Sequence, residues 1–316
     1  MPYLLPPLPA LRHLSPMTPI DLYLMSPPGP DWRLRGRANF RSEAAAPVDA
    51  RAAIREWVSL ADAIEARSGR VICLVPEPGT ELTGLPYAAE CGHVVERAGE
   101  LLFLLPTMFA PHRKGERALW RPAAEALGMK PVELDGTWEA QGDVAAFHGR
   151  TLLFFGGRTD AAGVASAARY FPEDAILLEV RQPAFHGNMA ALPLEAAGKL
   201  LVCPDVLLGD GLAKLEQAFG AEAIVPVSVD EIRAYATNGL PLGGDVLAPH
   251  LVPTRVTDLM KSWNLRVITL PMVELCEKAG GASRCLVSHA RVDAAKITIP
   301  PALDYRAARA RILADA

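Results

Sequence analysis

A thiol, an imidazole and several carboxylates stand in this chain in settings that suit covalent catalysis. Cys285 lies in Ala279-Gly280-Gly281-Ala282-Ser283-Arg284-Cys285-Leu286. A thiolate nucleophile needs access, a lowered pKa, and a base or cation nearby. Two glycines precede this thiol closely, permitting a backbone that Cβ-bearing residues resist, and an Arg adjoins it. Alone this is a modest signal, since an isolated Cys near the end of an α/β chain is more often buried and inert.

His186 is the best partner for it. It lies in Arg181-Gln182-Pro183-Ala184-Phe185-His186-Gly187-Asn188, a loop flanked by Pro and Gly, where an imidazole is free to point into a cleft and transfer protons. An ordinary surface His fits the same loop equally well. Glu139 and Asp143, in Thr137-Trp138-Glu139-Ala140-Gln141-Gly142-Asp143-Val144, could hold a cationic group and accept its protons; a polar turn is the commoner explanation. Glu90 is a lone acid in the small, apolar, strand-like stretch Tyr87-Ala88-Ala89-Glu90-Cys91-Gly92. An acid there is costly unless paired, so a bound cation or a structural Arg is expected beside it. Arg113 and Arg158 are candidates for gripping a substrate carboxylate, because the planar guanidinium fork matches that group; either could equally be a solvated loop charge.

Other chemistries find little support. The cysteines are Cys73, Cys91, Cys203, Cys276 and Cys285, irregularly spaced and without a C-x-x-C pair, which fits reduced thiols better than disulfides or a zinc site. Leu242-Gly243-Gly244-Asp245 lacks the context of a phosphate loop. No metal and no cofactor are implied. A formal net charge of −4 gives no electrostatic case for nucleic acid or an anionic membrane. No apolar run approaches the ~18 residues of a membrane helix, and the start lacks a basic region followed by an apolar core. A cytoplasmic protein is the expectation.

The elements that must position these residues read as α/β. Half of the 316 residues are hydrophobic and 22% are charged, as in a well-packed globular chain. Short apolar runs bounded by Gly, Pro and Asp predict buried strands at 22–25, 71–75, 101–105, 151–155, 175–180, 200–203, 223–227 and 266–270. Helical spacing predicts helices from Val48 to Arg67, Glu116 to Leu127 and Gly211 to Phe219, each ended by a glycine. Strands and helices alternate without a linker, which predicts one domain over residues 20–316 behind a loosely held, Pro-rich tail at 1–19. The recurrence of strand, helix and strand roughly every ~60 residues is what a repeated unit would give.

In this order, the segments resemble the guanidine-modifying, or pentein, superfamily, and dimethylarginine dimethylaminohydrolases and amidinotransferase-like proteins above all. Gly84-Leu85-Pro86-Tyr87-Ala88-Ala89-Glu90-Cys91-Gly92 resembles the family's first characteristic strand and loop. Glu139-Ala140-Gln141-Gly142-Asp143 resembles its Glu-x-x-Gly-Asp loop, Phe185-His186-Gly187-Asn188 its His-Leu-Asp loop, and the Cys285 segment its C-terminal Gly-Gly…Cys motif. Smaller matches are Leu24-Met25-Ser26-Pro27-Pro28, Arg158-Thr159 and Thr237-Asn238.

The resemblance implies an α/β-propeller of five ββαβ-type units around a central substrate channel. It implies Cys285 as nucleophile, His186 as general acid and base, Glu139 as holder of the guanidinium and Glu90 as a second acidic guanidinium site. Arg113 and Arg158 fall where the family binds the α-carboxylate, and Asn39 matches an Asn near the site in some relatives. Two departures stand out: Asn188 where the family commonly has Asp, and Gly84 near an expected acid. Missing carboxylates weaken the case for unsubstituted arginine and leave room for a modified guanidine. The implied reaction is hydrolysis through a thiouronium intermediate, with amidino transfer to an amine as the alternative. A non-catalytic binding protein on the same fold is the third reading, disfavoured because the Cys, His and Glu set is kept. The partners expected are a small guanidine substrate and, at most, a second copy of the chain.

Overall fold

A computed structural model describes residues 18–36 and 39–316. Most of the expected tail, residues 1–17, lies outside the described residues, and Pro19 already opens the first strand.

The chain begins with β1 (Pro19–Met25), α1 (Ala50–Glu65) and β2 (Arg70–Cys73). Next come β3 (His93–Arg97), β4 (Glu100–Leu104), α2 (Glu116–Ala126) and β5 (Lys130–Val132). The pattern repeats in β6 (Val144–Phe147), β7 (Arg150–Phe155), α3 (Ala161–Ala168) and β8 (Ile176–Glu179). A one-turn helix α4 (Gly187–Ala190) leads into β9 (Ala191–Leu194), β10 (Lys199–Val202), α5 (Gly211–Phe219) and β11 (Ile224–Pro226). Finally α6 (Val229–Arg233) precedes β12 (Leu240–Leu242), β13 (Asp245–Pro249), α7 (Thr254–Ser262) and β14 (Arg266–Leu270), and the chain closes with β15 (Ser288–Asp293) and α8 (Tyr305–Ala314).

Among the described residues these strands form five three-stranded sheets. In each, one pair is antiparallel and the third strand joins in parallel through a helix, as in β3-β4-α2-β5. This is the ββαβ unit. One sheet is sewn from both ends of the fold, with β15 antiparallel to β1 and β2 parallel to β1. A cavity of about 420 Å3 is lined by residues of β1, β6, β9, β12 and β15, so strands from different units face a common centre.

Helix α1 shows how the sequence builds these layers. Asp49 caps it by accepting from the Ala52 N–H at 3.0 Å, satisfying a donor that the first turn leaves unpaired. Ile54, Trp57, Leu60, Ala61 and Ile64 recur at helical spacing and are buried against the β1-β2 sheet. On the same helix, buried Glu56 accepts from the backbone N–H groups of Val273, Glu274 and Leu275 at 2.7–3.0 Å. That anchors the π-helical turn Val273–Lys278, which feeds the Gly280-Gly281 segment toward Cys285.

One expected strand context differs, and the Glu139 segment turns out to be helical. The stretch around Glu90 is a 3₁₀ turn, Ala88–Glu90, because Ala89 turns its N–H to the Cys285 carbonyl at 3.0 Å instead of to a neighbouring strand. Glu139 is followed by another 3₁₀ turn, Ala140–Asp143, and strand β6 intervenes before the strand at Arg150–Phe155. The Gly243-Gly244 pair is the tight turn between β12 and β13.

Candidate active site

The buried polar residues gather from several units. His186 stands in extended backbone just before α4. Its Nε2 lies 2.6 Å from Oε2 of Glu139, and both side chains are buried. Oε1 of Glu139 accepts from the Phe109 N–H at 2.8 Å, and its own N–H donates to Thr159 Oγ1 at 3.0 Å. Thr159 in turn donates to Asp143 Oδ2 at 2.6 Å, while Asp143 Oδ1 accepts from the Gly187 N–H at 2.8 Å. Asp143 thus ties the Glu139 loop to the His186 loop and serves as a brace. Ala140, at φ 52, is held in the left-handed region beside Glu139, a strained geometry that active sites commonly keep.

The other ring nitrogen of His186, Nδ1, lies 3.4 Å from Oε1 of Glu90 and has no hydrogen-bond partner. Gly142 makes this approach feasible, because a Cβ there would come within 3.2 Å of His186 Cγ and 3.3 Å of Glu90 Oε1. Burial opposes a charged imidazole, but Asp143, Glu90 and Glu139 together hold its pKa above the ordinary value. Glu139 responds in the opposite sense: burial opposes its charge, and His186 and Arg158 hold its carboxyl well below the usual carboxylate range. Burial pushes Asp143 up to about 6.

Cys285 opens into the same pocket as Glu90, Arg113, Arg158 and Asn39. Its N–H donates to Ala282 O at 2.9 Å and to Asn238 Oδ1 at 3.3 Å, and Asn238 Nδ2 donates to Asn188 O at 3.3 Å. Asn238 therefore clamps the two loops together. The amide of Asn188 faces the sulfur, with Nδ2 at 3.7 Å from Sγ. Burial, reinforced by Glu90, pushes the resting thiol up to about 12, and Asn238, the Ala282 backbone and Arg284 pull the other way. The buried setting thus favours the thiol over the thiolate, and a cation placed near Glu90 would offset the repulsion that disfavours the thiolate.

Glu90 also finds the structural Arg that its burial demands. Arg113 Nη1 donates to Glu90 Oε2 at 2.6 Å. The same guanidinium donates to both oxygens of Glu116, at 2.8 and 2.7 Å, and to the carbonyls of Gly84 and Tyr87. Gly84 makes room for this: a Cβ there would lie 2.3 Å from both Arg113 Nε and Glu116 Oε1. Arg113 thus lines the pocket but is held by two buried acids. Arg158 stacks on Phe185, 4.5 Å from the ring centroid, and lies 3.6 Å from Glu139. Asn39 donates to the Ala279 carbonyl at 3.0 Å, packing the segment after β1 onto the glycine pair.

Of the candidate residues, Asn39, Glu90, Arg113, Arg158 and Cys285 line one pocket, while His186, Glu139 and Asn188 lie behind it in contact with Glu90, Arg158 and Cys285, and Asp143 braces the loops further back. Two residues in contact with this cluster lie outside the sequence reading as site residues, Glu116 beside Arg113 and Asn238 beside Cys285. The Arg-x-x-Glu spacing at the start of α2 was the available signal for the first. The Thr237-Asn238 match was the signal for the second. Among the described residues, no group of three or more His, Cys, Asp or Glu could hold a metal ion. No helix among them is long and apolar enough to cross a membrane.

No family model matches the chain. The chain is similar to the N(G),N(G)-dimethylarginine dimethylaminohydrolase of Mycobacterium tuberculosis (strain ATCC 25618 / H37Rv), 26% identical over 263 residues, 83% of each chain. The N-terminal domain of ArgZ bound to product, described as an arginine dihydrolase from the ornithine-ammonia cycle in cyanobacteria, matches with a TM-score of 0.75 and 21% identity. That match covers 85% of this chain and 97% of the other. A dimethylarginine dimethylaminohydrolase adduct with S-methyl-L-thiocitrulline matches with a TM-score of 0.66 and 17% identity, covering 85% and 99%. With five ββαβ units on the fold of these structures and sequence similarity to a dimethylarginine dimethylaminohydrolase, the chain resembles the guanidine-modifying, or pentein, superfamily in both sequence and fold.

Proposed function

We propose that this protein is a cysteine-dependent hydrolase of arginine or an N-substituted arginine such as methylarginine, acting through a thiouronium intermediate on Cys285. The observation that carries this reading is the placement of Glu90. Its carboxylate lines the pocket with Cys285, and its Oε1 lies 3.4 Å from an imidazole that Glu139 holds at 2.6 Å. A guanidinium is a planar cation and a poor electrophile, so it must be held against carboxylates with its carbon facing sulfur.

The steps follow from the residues. Substrate charge at Glu90 favours loss of the thiol proton to solvent. The Cys285 thiolate forms an S–C bond to the guanidinium carbon, giving a tetrahedral adduct. Collapse breaks one C–N bond, and imidazolium His186 gives its proton to the departing amine. The neutral imidazole then takes a proton from water as its oxygen bonds the same carbon. Breaking the C–S bond restores the thiolate, and loss of the hydroxyl proton to solvent leaves the neutral ureido product. Glu139 holds the imidazolium in each half, as the third member of a nucleophile–base–carboxylate relay.

The test is incubation with L-arginine, monomethylarginine and asymmetric dimethylarginine, with release of ureido product and free amine measured in the presence and absence of an acceptor amine. Turnover without acceptor, lost at least about 10⁴-fold in Cys285→Ala, is expected. Undiminished turnover in Cys285→Ala would remove the nucleophile, and product formed only with acceptor would remove hydrolysis.

A further inference from the structure

We propose that a second cavity, separate from the Cys285 pocket, binds a small oxyanion on Arg284, and that the bound anion lowers the reactivity of the adjoining thiol.

Cys285 and Arg284 are consecutive, yet they line different cavities. Cys285 lines one with Glu90 and Arg113, and Arg284 lines the cavity of about 420 Å3 bordered by β1, β6, β9, β12 and β15. The two linings share no residue. One partner holds both positions: Asn238 O accepts from the Arg284 N–H at 3.1 Å, and Asn238 Oδ1 accepts from the Cys285 N–H at 3.3 Å.

Charge in the second cavity is unevenly satisfied. Asp21 is engaged by His289 at 2.9 Å and by Arg291 at 3.6 Å, and Glu195 accepts from the His148 N–H at 2.6 Å. Arg284 is different. Its Nη1 donates to the Ala191 carbonyl at 2.7 Å, and among the described residues no carboxylate pairs with it. Burial accordingly pushes its pKa down to about 10. A guanidinium carries five N–H donors in a planar fork, so a part-buried one held by a carbonyl favours a bidentate oxyanion, a carboxylate or a phosphate. Arg113, by contrast, already has both oxygens of Glu116 and one of Glu90.

The link to Cys285 is electrostatic. The positive charge of Arg284 favours the Cys285 thiolate, against burial and Glu90. An anion on Arg284 cancels that help and moves the thiol further toward its protonated form. A cation near Glu90 and an anion on Arg284 thus act on the same sulfur in opposite senses.

The experiment titrates inorganic phosphate and succinate into the parent, Arg284→Gln and Ala146→Trp by calorimetry; the last fills the cavity from β6. The parent binds at least one anion with a Kd of about 1 mM or tighter, and each substitution weakens it at least about tenfold. Tighter succinate assigns the carboxylate, and tighter phosphate the phosphate. Iodoacetamide labelling of Cys285 at pH 8, read by peptide mass, slows about three- to tenfold in the parent at saturating anion. In Ala146→Trp the labelling starts at the parent rate and no longer responds. Absence of binding by both anions, binding unchanged in either variant, or equal slowing by sodium chloride at matched ionic strength overturns the assignment.

Discussion

His186 Nε2 sits 2.6 Å from Glu139 Oε2 in a setting where both side chains are buried, and each partner shifts the other's ionisation. Burying a carboxylate without a counter-charge is expensive, so the pair is stable as imidazolium and carboxylate or loses its rationale.

Replacing Glu139 by Gln removes the charge that helps hold the imidazolium. The expected loss in kcat is about 10²–10³-fold, with the alkaline limb of the rate profile moving to lower pH as the His186 pKa falls. Initial rates from pH 5 to 9 in parent and variant measure it; an unmoved limb would mean that His186 is not the titrating acid. Stability carries the same signature. The raised His186 pKa stabilises fully below its ordinary value of 6.5 and fades as pH rises through the elevated one. The depressed Glu139 pKa stabilises above its ordinary value of 4.5 and fades as pH falls. The joint contribution is therefore greatest between pH 4.5 and 6.5, and the Gln variant loses most stability in that window.

Asn188→Asp brings a carboxylate to the sulfur, where the amide now stands with Nδ2 at 3.7 Å and Oδ1 at 4.0 Å. The thiol pKa rises further and alkylation of the free enzyme by iodoacetamide slows about tenfold near neutral pH, a one-unit shift being tenfold in thiolate. The added acid also favours unsubstituted over methylated guanidine. Alkylation rates and the ratio of kcat/KM values for arginine and methylarginine report the two effects separately.

Gly84→Ala forces a methyl group into the Arg113–Glu116 pair, which a Cβ would meet at 2.3 Å. Overpacking of this kind costs about 1–3 kcal/mol, to be read from urea denaturation and Tm. A neutral result would show that the pair moves aside freely, and that Gly84 is not what accommodates it.

Much of this was legible in the sequence where burial and pattern coincide. Arg266–Leu270 and Gly211–Phe219 are bounded as the apolar spacing predicts. The strands that escaped notice, such as β3 (His93–Arg97) and β12 (Leu240–Leu242), are short or only partly buried, so their residues do not form an apolar run. Glu90 looked strand-bound because a few small apolar residues fit a strand or a turn equally. Glu116 is easily passed over because an acid in a helix's first turn is ordinary; its i,i+3 spacing from Arg113 allows a pair, and the fold shows that pair buried. Cys285 gained its significance from loops that no local window connects.

The sheet sewn from both ends has a consequence for when this chemistry can begin. Leu24 pairs with Ser288, only a few residues past Cys285, so the Cys285 loop is framed by the closing seam of the ring. Contacts of such long range are slow to form. During synthesis, Glu90, His186 and Glu139 emerge long before their thiol, and a ring left open has no socket for it. The pocket around Cys285 is thus completed only when the last unit docks, long after Glu90, Glu139 and His186 have folded into theirs.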